Sequence, residues 1–164
     1  METYRVPAGT GIGHVHLKVS DIDRAIAFYA NVLGFDQIMR IGDQAAFVSA
    51  GGYHHHIGLN TWLSRGGSPA PPQHTGLFHF AILYPTRRDL ANATRRIIDA
   101  GVRIQGVADH GVSESIYLAD PDGNGIELTR DRPQAEWPRD ANGNIALAMA
   151  DPLDVEALLL EASS

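Results

Sequence analysis

Apolar and polar residues alternate along Gly13 to Asp21, GHVHLKVSD: Val15, Leu17 and Val19 fall on one face, and His14, His16 and Lys18 on the other. That is the period of a strand half buried on its apolar side, so the polar face is where chemistry could sit. The pattern returns as GLFHFAILYPT, in which His79 stands to Phe80, Ala81, Ile82 and Thr86 as His14 stands to Val15, His16, Leu17 and Asp21. Both predicted strands run into a helix-starting residue at the same offset. We read an internal duplication.

The elements follow in the same order twice. After a first strand near 12–19, Asp21 is a good N-cap; Ile22, Ala25, Ile26, Tyr29 and Leu33 recur at helical spacing until Gly34, predicting an amphipathic helix over 21–33. Residues 35–41 and 45–49 read as a hairpin around Gly42-Asp43, and YHHHIGLN as a fourth strand. The Gly- and Pro-rich stretch 61–75 reads as a connector. A strand over 76–83, a helix near 86–100, and strands near 102–108, 113–119 and 125–130 make the second unit, with the dense turn signal DPDGNG before its last strand. The expected organisation is a first βαβββ module over 11–60, the connector 61–75, a second module over 76–132 and a C-terminal extension over 133–164 carrying one docking helix. Two such modules side by side predict an α+β fold with a cupped, partly closed mixed sheet, both histidine faces lining one cleft.

Composition narrows the function. At 164 residues, 44% hydrophobic and 20% charged, the chain can bury a core. A net charge of −6 without a basic cluster argues against nucleic acid or an anionic membrane as partner. All of the 13 basic residues except Lys18 are Arg. Without Cys, any metal must be held by His and carboxylate. No apolar signal run or long apolar stretch stands out, and a cytoplasmic protein is expected.

HVHLKVSDIDRAIAFYANVLGF, FHFAIL and DPDGNGIEL together resemble the vicinal oxygen chelate superfamily, which includes glyoxalase I, the extradiol catechol dioxygenases and the bleomycin and fosfomycin resistance proteins. The resemblance covers roughly residues 11–132. It implies a divalent metal held by the His in the first strand of each module and an acidic residue in the last strand, which here means His14, His79 and Glu127. Aligning HIGLN with GIELT sets Gly58 against Glu127, so the fourth ligand glyoxalase I takes from its first module is missing. Two His and one carboxylate with open positions suit Fe(II), while Mn or Zn accept the same donors.

A His-rich fourth strand and a Tyr ten residues ahead of the acidic ligand most resemble the extradiol dioxygenases, which assigns Tyr117 and His110 to the chelated oxygens. His55 aligns best with their acid-base His, and His56 competes for that role because simple alternation puts it on the Gly58 side. Typical enzymes of this kind are about twice as long. The resemblance implies a small catechol-like substrate with O2, and a homodimer is expected. A glyoxalase-type isomerase or lyase, or a ligand-sequestering resistance protein, is the alternative. Against these roles stand plainer ones: the His54 to His56 run as a surface patch, Tyr117 as a packed core residue, His16 as cavity lining.

Overall fold

A computed structural model describes residues 3–148 and 151–163. The first unit comprises β1 (Val15–Lys18), α1 (Ile22–Ile26), which widens into a π-type turn over Ala27–Val32, β2 (Asp36–Ile41), β3 (Ala45–Ser49) and β4 (Ile57–Asn60). The second comprises β5 (Phe80–Leu83), α2 (Arg87–Asp99), β6 (Gly106–Asp109), β7 (Ser113–Ala119) and β8 (Gly125–Asp131). The sheets have matching strand orders, β1-β4-β3-β2 and β5-β8-β7-β6, with the first pair parallel and the others antiparallel. This is the expected α+β class, with two four-stranded mixed sheets that do not close into a barrel.

Local chemistry accounts for the starts and stops. The Asp21 carboxylate accepts the Arg24 N–H at 2.8 Å, and the Thr86 hydroxyl accepts the Asp89 N–H at 3.1 Å, each satisfying a free donor of the first helical turn. Gly34 ends the first helical run at φ 87°, a conformation costly for any residue with a Cβ. One expectation is corrected: YHHHIGLN is not a single strand. β4 begins only at Ile57; His54 and His55 lie in the preceding turn, where strand alternation does not govern ring direction, and His56 keeps backbone bonds to Val48 and Val15.

Each sheet has one face covered by its helix and one left uncovered. Leu17, Ala46, Val48, Ile57 and Leu59 of the first sheet, and Phe80, Ile116, Leu118, Ile126 and Leu128 of the second, are buried in one continuous core with residues of both helices. Burial of each large aliphatic side chain there contributes about 2 kcal/mol. Across this core, the Tyr29 hydroxyl donates to Asp120 Oδ2 at 3.0 Å, and Arg96 of α2 donates to the carbonyls of Val32 and Asn31. Because both covered faces share one core, both uncovered faces turn away from it.

The segment after β8 folds back on the second unit. A short 3-10 turn (Gln134–Glu136) leads to a bridge between Arg139 and Ile145, and α3 (Val155–Leu159) packs on α2 with Leu153 and Leu158 buried. Glu114, only 3% exposed, is the polar anchor of this region. Arg87, Arg130 and Arg132 all reach its carboxylate, and Arg87 also pairs with Glu161. A buried carboxylate is tolerated when its lone pairs are matched in this way.

Candidate active site

The uncovered face of the second sheet gathers four of the residues singled out from the sequence. His79 immediately precedes β5, and its Nε2 lies 3.1 Å from Glu127 Oε2. Tyr117 sits directly across from Glu127 in the β7–β8 register, and its hydroxyl donates to Glu127 Oε1 at 3.1 Å. The same hydroxyl is 2.8 Å from His110 Nε2, and His110 Nδ1 is 2.8 Å from the backbone carbonyl of Ala148. Burial first, then the charge of Glu127, pushes the Tyr117 phenol above its ordinary range.

Gly125 makes this convergence possible. A Cβ there would lie 2.1 Å from the carbonyl oxygen of Phe78 and 3.1 Å from the His79 Cβ. Only a residue without a side chain lets the chain entering β5 approach β8 closely enough to set His79 beside Glu127.

The first sheet carries the other histidines. His14 has its ring centroid 4.4 Å from that of His55, and His55 packs edge-on against Phe47 at 5.2 Å. His56 instead lies with its Nδ1 3.0 Å from Ser49 Oγ and 3.3 Å from the Ala50 N–H, next to Phe35. The ring next to His14 is therefore His55, while His56 serves the turn. Burial, together with the positive charge of neighbouring His14 and His54, holds His55 below the usual imidazole range; burial and His14 do the same to His16. The His16 ring stands over Gly58, where an added Cβ would meet it at 3.0 Å, and it faces Phe47 and Trp62 at 5.7 and 5.5 Å between centroids.

His79 and Glu127 fit as two ligands of a divalent metal, an imidazole and a carboxylate converging from adjacent strands. His14 is not beside them, and among the described residues no three His, Asp or Glu side chains are gathered as a metal would require. The two histidine faces therefore do not line one cleft within a single chain. Sequence reasoning missed Phe47, Trp62, Gly125 and the Ala148 carbonyl. A signal for Gly125 was present, because its turn already has Gly123 at φ 83° and a second glycine needs another reason.

Residues 11–128 match the family model described as Glyoxalase/Bleomycin resistance protein/Dioxygenase superfamily. Among curated proteins, a catechol-2,3-dioxygenase of Bacillus subtilis is 42% identical over 153 residues, covering 93% of this chain and 52% of that protein. Biphenyl-2,3-diol 1,2-dioxygenase 3 of Rhodococcus globerulus is 29% identical over 120 residues, covering 73% and 63%. The chain thus spans about half to under two thirds of the length of these relatives. Among solved structures, a glyoxylase/bleomycin resistance protein/dioxygenase domain from Frankia sp. superposes with a TM-score of 0.63 at 21% identity, covering 76% of this chain and 94% of that one. The fosfomycin resistance protein FosX from Listeria monocytogenes superposes with a TM-score of 0.57 at 23% identity, covering 77% and 97%. At these identities the structural matches speak for the fold.

Proposed function

The chain belongs to the glyoxalase/bleomycin resistance protein/dioxygenase superfamily, and from that premise we propose that it is an extradiol-type dioxygenase cleaving a catechol-like aromatic substrate with Fe(II) and O2. The observation that carries this reading is the Tyr117 hydroxyl, set between the Glu127 carboxylate and the His110 ring. A chelating diol brings an acidic hydroxyl to the metal, and a phenol backed by an imidazole beside the ligand carboxylate is suited to receive its proton. A sequestering module needs no such pair. Similarity to a catechol-2,3-dioxygenase over most of the chain supports the same choice.

His79, Glu127 and His14 would hold the metal, with Mn or Zn as alternative ions. Bound there, divalent iron supplies Lewis acidity toward the diol and a redox-active centre for oxygen. Tyr117 and His110 orient the diol oxygens and take up a proton. His55, next to His14 and held below the ordinary imidazole range, is suited to proton transfer. His16 standing over Gly58 leaves no first-module carboxylate ligand, which disfavours a glyoxalase-type site.

His14 reaches His79 and Glu127 through a second copy of the chain. The uncovered faces turn away from the shared core, and β1 and β5 are both sheet edges with unpaired backbone. Ile12 and Phe78, beside these edges, are 90% and 89% exposed, as expected of surface that a partner covers. Two copies related by a two-fold axis then form two identical sites.

The test is metal content after anaerobic reconstitution, followed by oxygen uptake with a panel of catechols. One iron per chain with catechol-dependent uptake supports the reading; metal without uptake, or no metal, sinks it. Mixing His14→Ala with His79→Ala protein should restore about a quarter of the sites through mixed dimers, and no restoration would rule out a site shared between two copies. His55→Ala is expected to keep metal and lose turnover by roughly a hundredfold or more, while His56→Ala keeps both.

A further inference from the structure

The segment after β8 reaches the candidate site through the carbonyl oxygen of Ala148. A carbonyl only accepts, so its 2.8 Å contact with His110 Nδ1 requires that nitrogen to carry the hydrogen. In the neutral ring Nε2 is then bare, and it is Nε2 that lies 2.8 Å from the Tyr117 hydroxyl. The one proton of Tyr117 thus has two acceptors, His110 Nε2 and Glu127 Oε1.

We propose that the Ala148 backbone carbonyl is a positioning group for the reaction: it fixes His110 as the Nδ1–H tautomer, which makes Nε2 the terminal proton acceptor behind Tyr117. The C-terminal extension is therefore part of the active site. This rests on the dioxygenase reading for its chemical purpose, although the tautomer itself does not. When a substrate hydroxyl gives its proton to the Tyr117 oxygen, the Tyr117 O–H breaks, its proton bonds to His110 Nε2, and the ring becomes an imidazolium whose second N–H stays on Ala148. With the opposite tautomer Nε2 already carries a hydrogen and the path is blocked.

The rest of the extension holds this carbonyl in place. The Ala148 N–H donates to the His110 carbonyl at 3.1 Å, so residues 110 and 148 are tied by backbone as well as by the ring. Asp109 and Asp151 exchange backbone hydrogen bonds of 2.8 and 3.3 Å. Trp137 Nε1–H donates to the Arg132 carbonyl at 2.8 Å, and Pro138 packs against Gly111. Leu153 and Leu158 anchor the segment in the core.

The experiment is long-range proton–nitrogen correlation on 15N-histidine-labelled, metal-free full-length protein at pH 8, with His110 assigned by its loss in His110→Gln. The expected spectrum shows Nδ1 protonated and Nε2 bare. A ring protonated on Nε2 overturns the proposal without any variant having to fold. Ala148→Pro removes the N–H bonded to His110 and displaces the carbonyl. It should shift the ring toward the Nε2–H form and lower kcat by roughly tenfold to a hundredfold with KM little changed; an unchanged tautomer overturns the proposal. The native spectrum needs neither metal nor substrate, so failure of oxygen uptake would sink the dioxygenase reading and leave the tautomer assignment standing.

Discussion

The two sheets carry the same three-residue row with opposite contents. Across β1, β4 and β3 the register aligns His16, Gly58 and Phe47; across β5, β8 and β7 it aligns Ala81, Glu127 and Tyr117. Where the second sheet places a carboxylate beside a small residue, the first places a glycine beside an imidazole, and the tyrosine of one row is a phenylalanine in the other. Bulk has moved one strand over. A duplicated scaffold can thus keep its register and its core while one copy carries Glu127 and Tyr117 of the proposed site and the other presents an aromatic wall of His16, Phe47 and Trp62. In these rows the divergence falls on the uncovered faces, while the covered ones pack the common core.

Replacing Glu127 with Gly erases the contrast and should have the largest effect: complete loss of bound metal by elemental analysis, with the far-UV circular dichroism of the native protein. Retained metal would remove Glu127 from the ligand set. The next contrast lies at the other end of the same strands, where buried Glu114 of β7 corresponds to exposed Gln44 ahead of β3. Glu114→Ala leaves Arg87, Arg130 and Arg132 facing an empty, water-poor site and should cost about 3–5 kcal/mol in urea unfolding. Gln44→Ala should stay within about 0.5 kcal/mol.

Gly125, the first residue of β8, occupies the position that His56 holds in the first unit, immediately before β4. Gly125→Ala forces a Cβ against the Phe78 carbonyl and should destabilise by about 1–3 kcal/mol while weakening metal binding. Full metal occupancy at native stability would show that the approach to β5 relaxes freely. The smallest effect is expected at Gly58. A Cβ there meets the His16 ring at 3.0 Å, so Gly58→Ala should cost about 1 kcal/mol, and His16→Ala should recover most of it in a double-mutant cycle. Additive effects would mean that the His16 ring does not depend on the space above Gly58.

Much of the fold is legible in the order of residues alone. Alternation at Val15, Leu17 and Val19 identified the buried face of β1; Asp21 and Thr86 marked helix starts; and the turn residues between Asp120 and Gly125 separated β7 from β8. These features depend on backbone geometry over a few residues, so the chain states them directly. The remainder depends on long-range packing. The tertiary structure alone shows that His55 rather than His56 lies beside His14, since a turn and not a strand orients His55. It alone shows both chemical faces turned away from one shared core, because that depends on how two helices pack across the sheets. The role of Ala148 was invisible for a simpler reason: a backbone carbonyl is common to every residue, and only a long-range fold places one of them against His110.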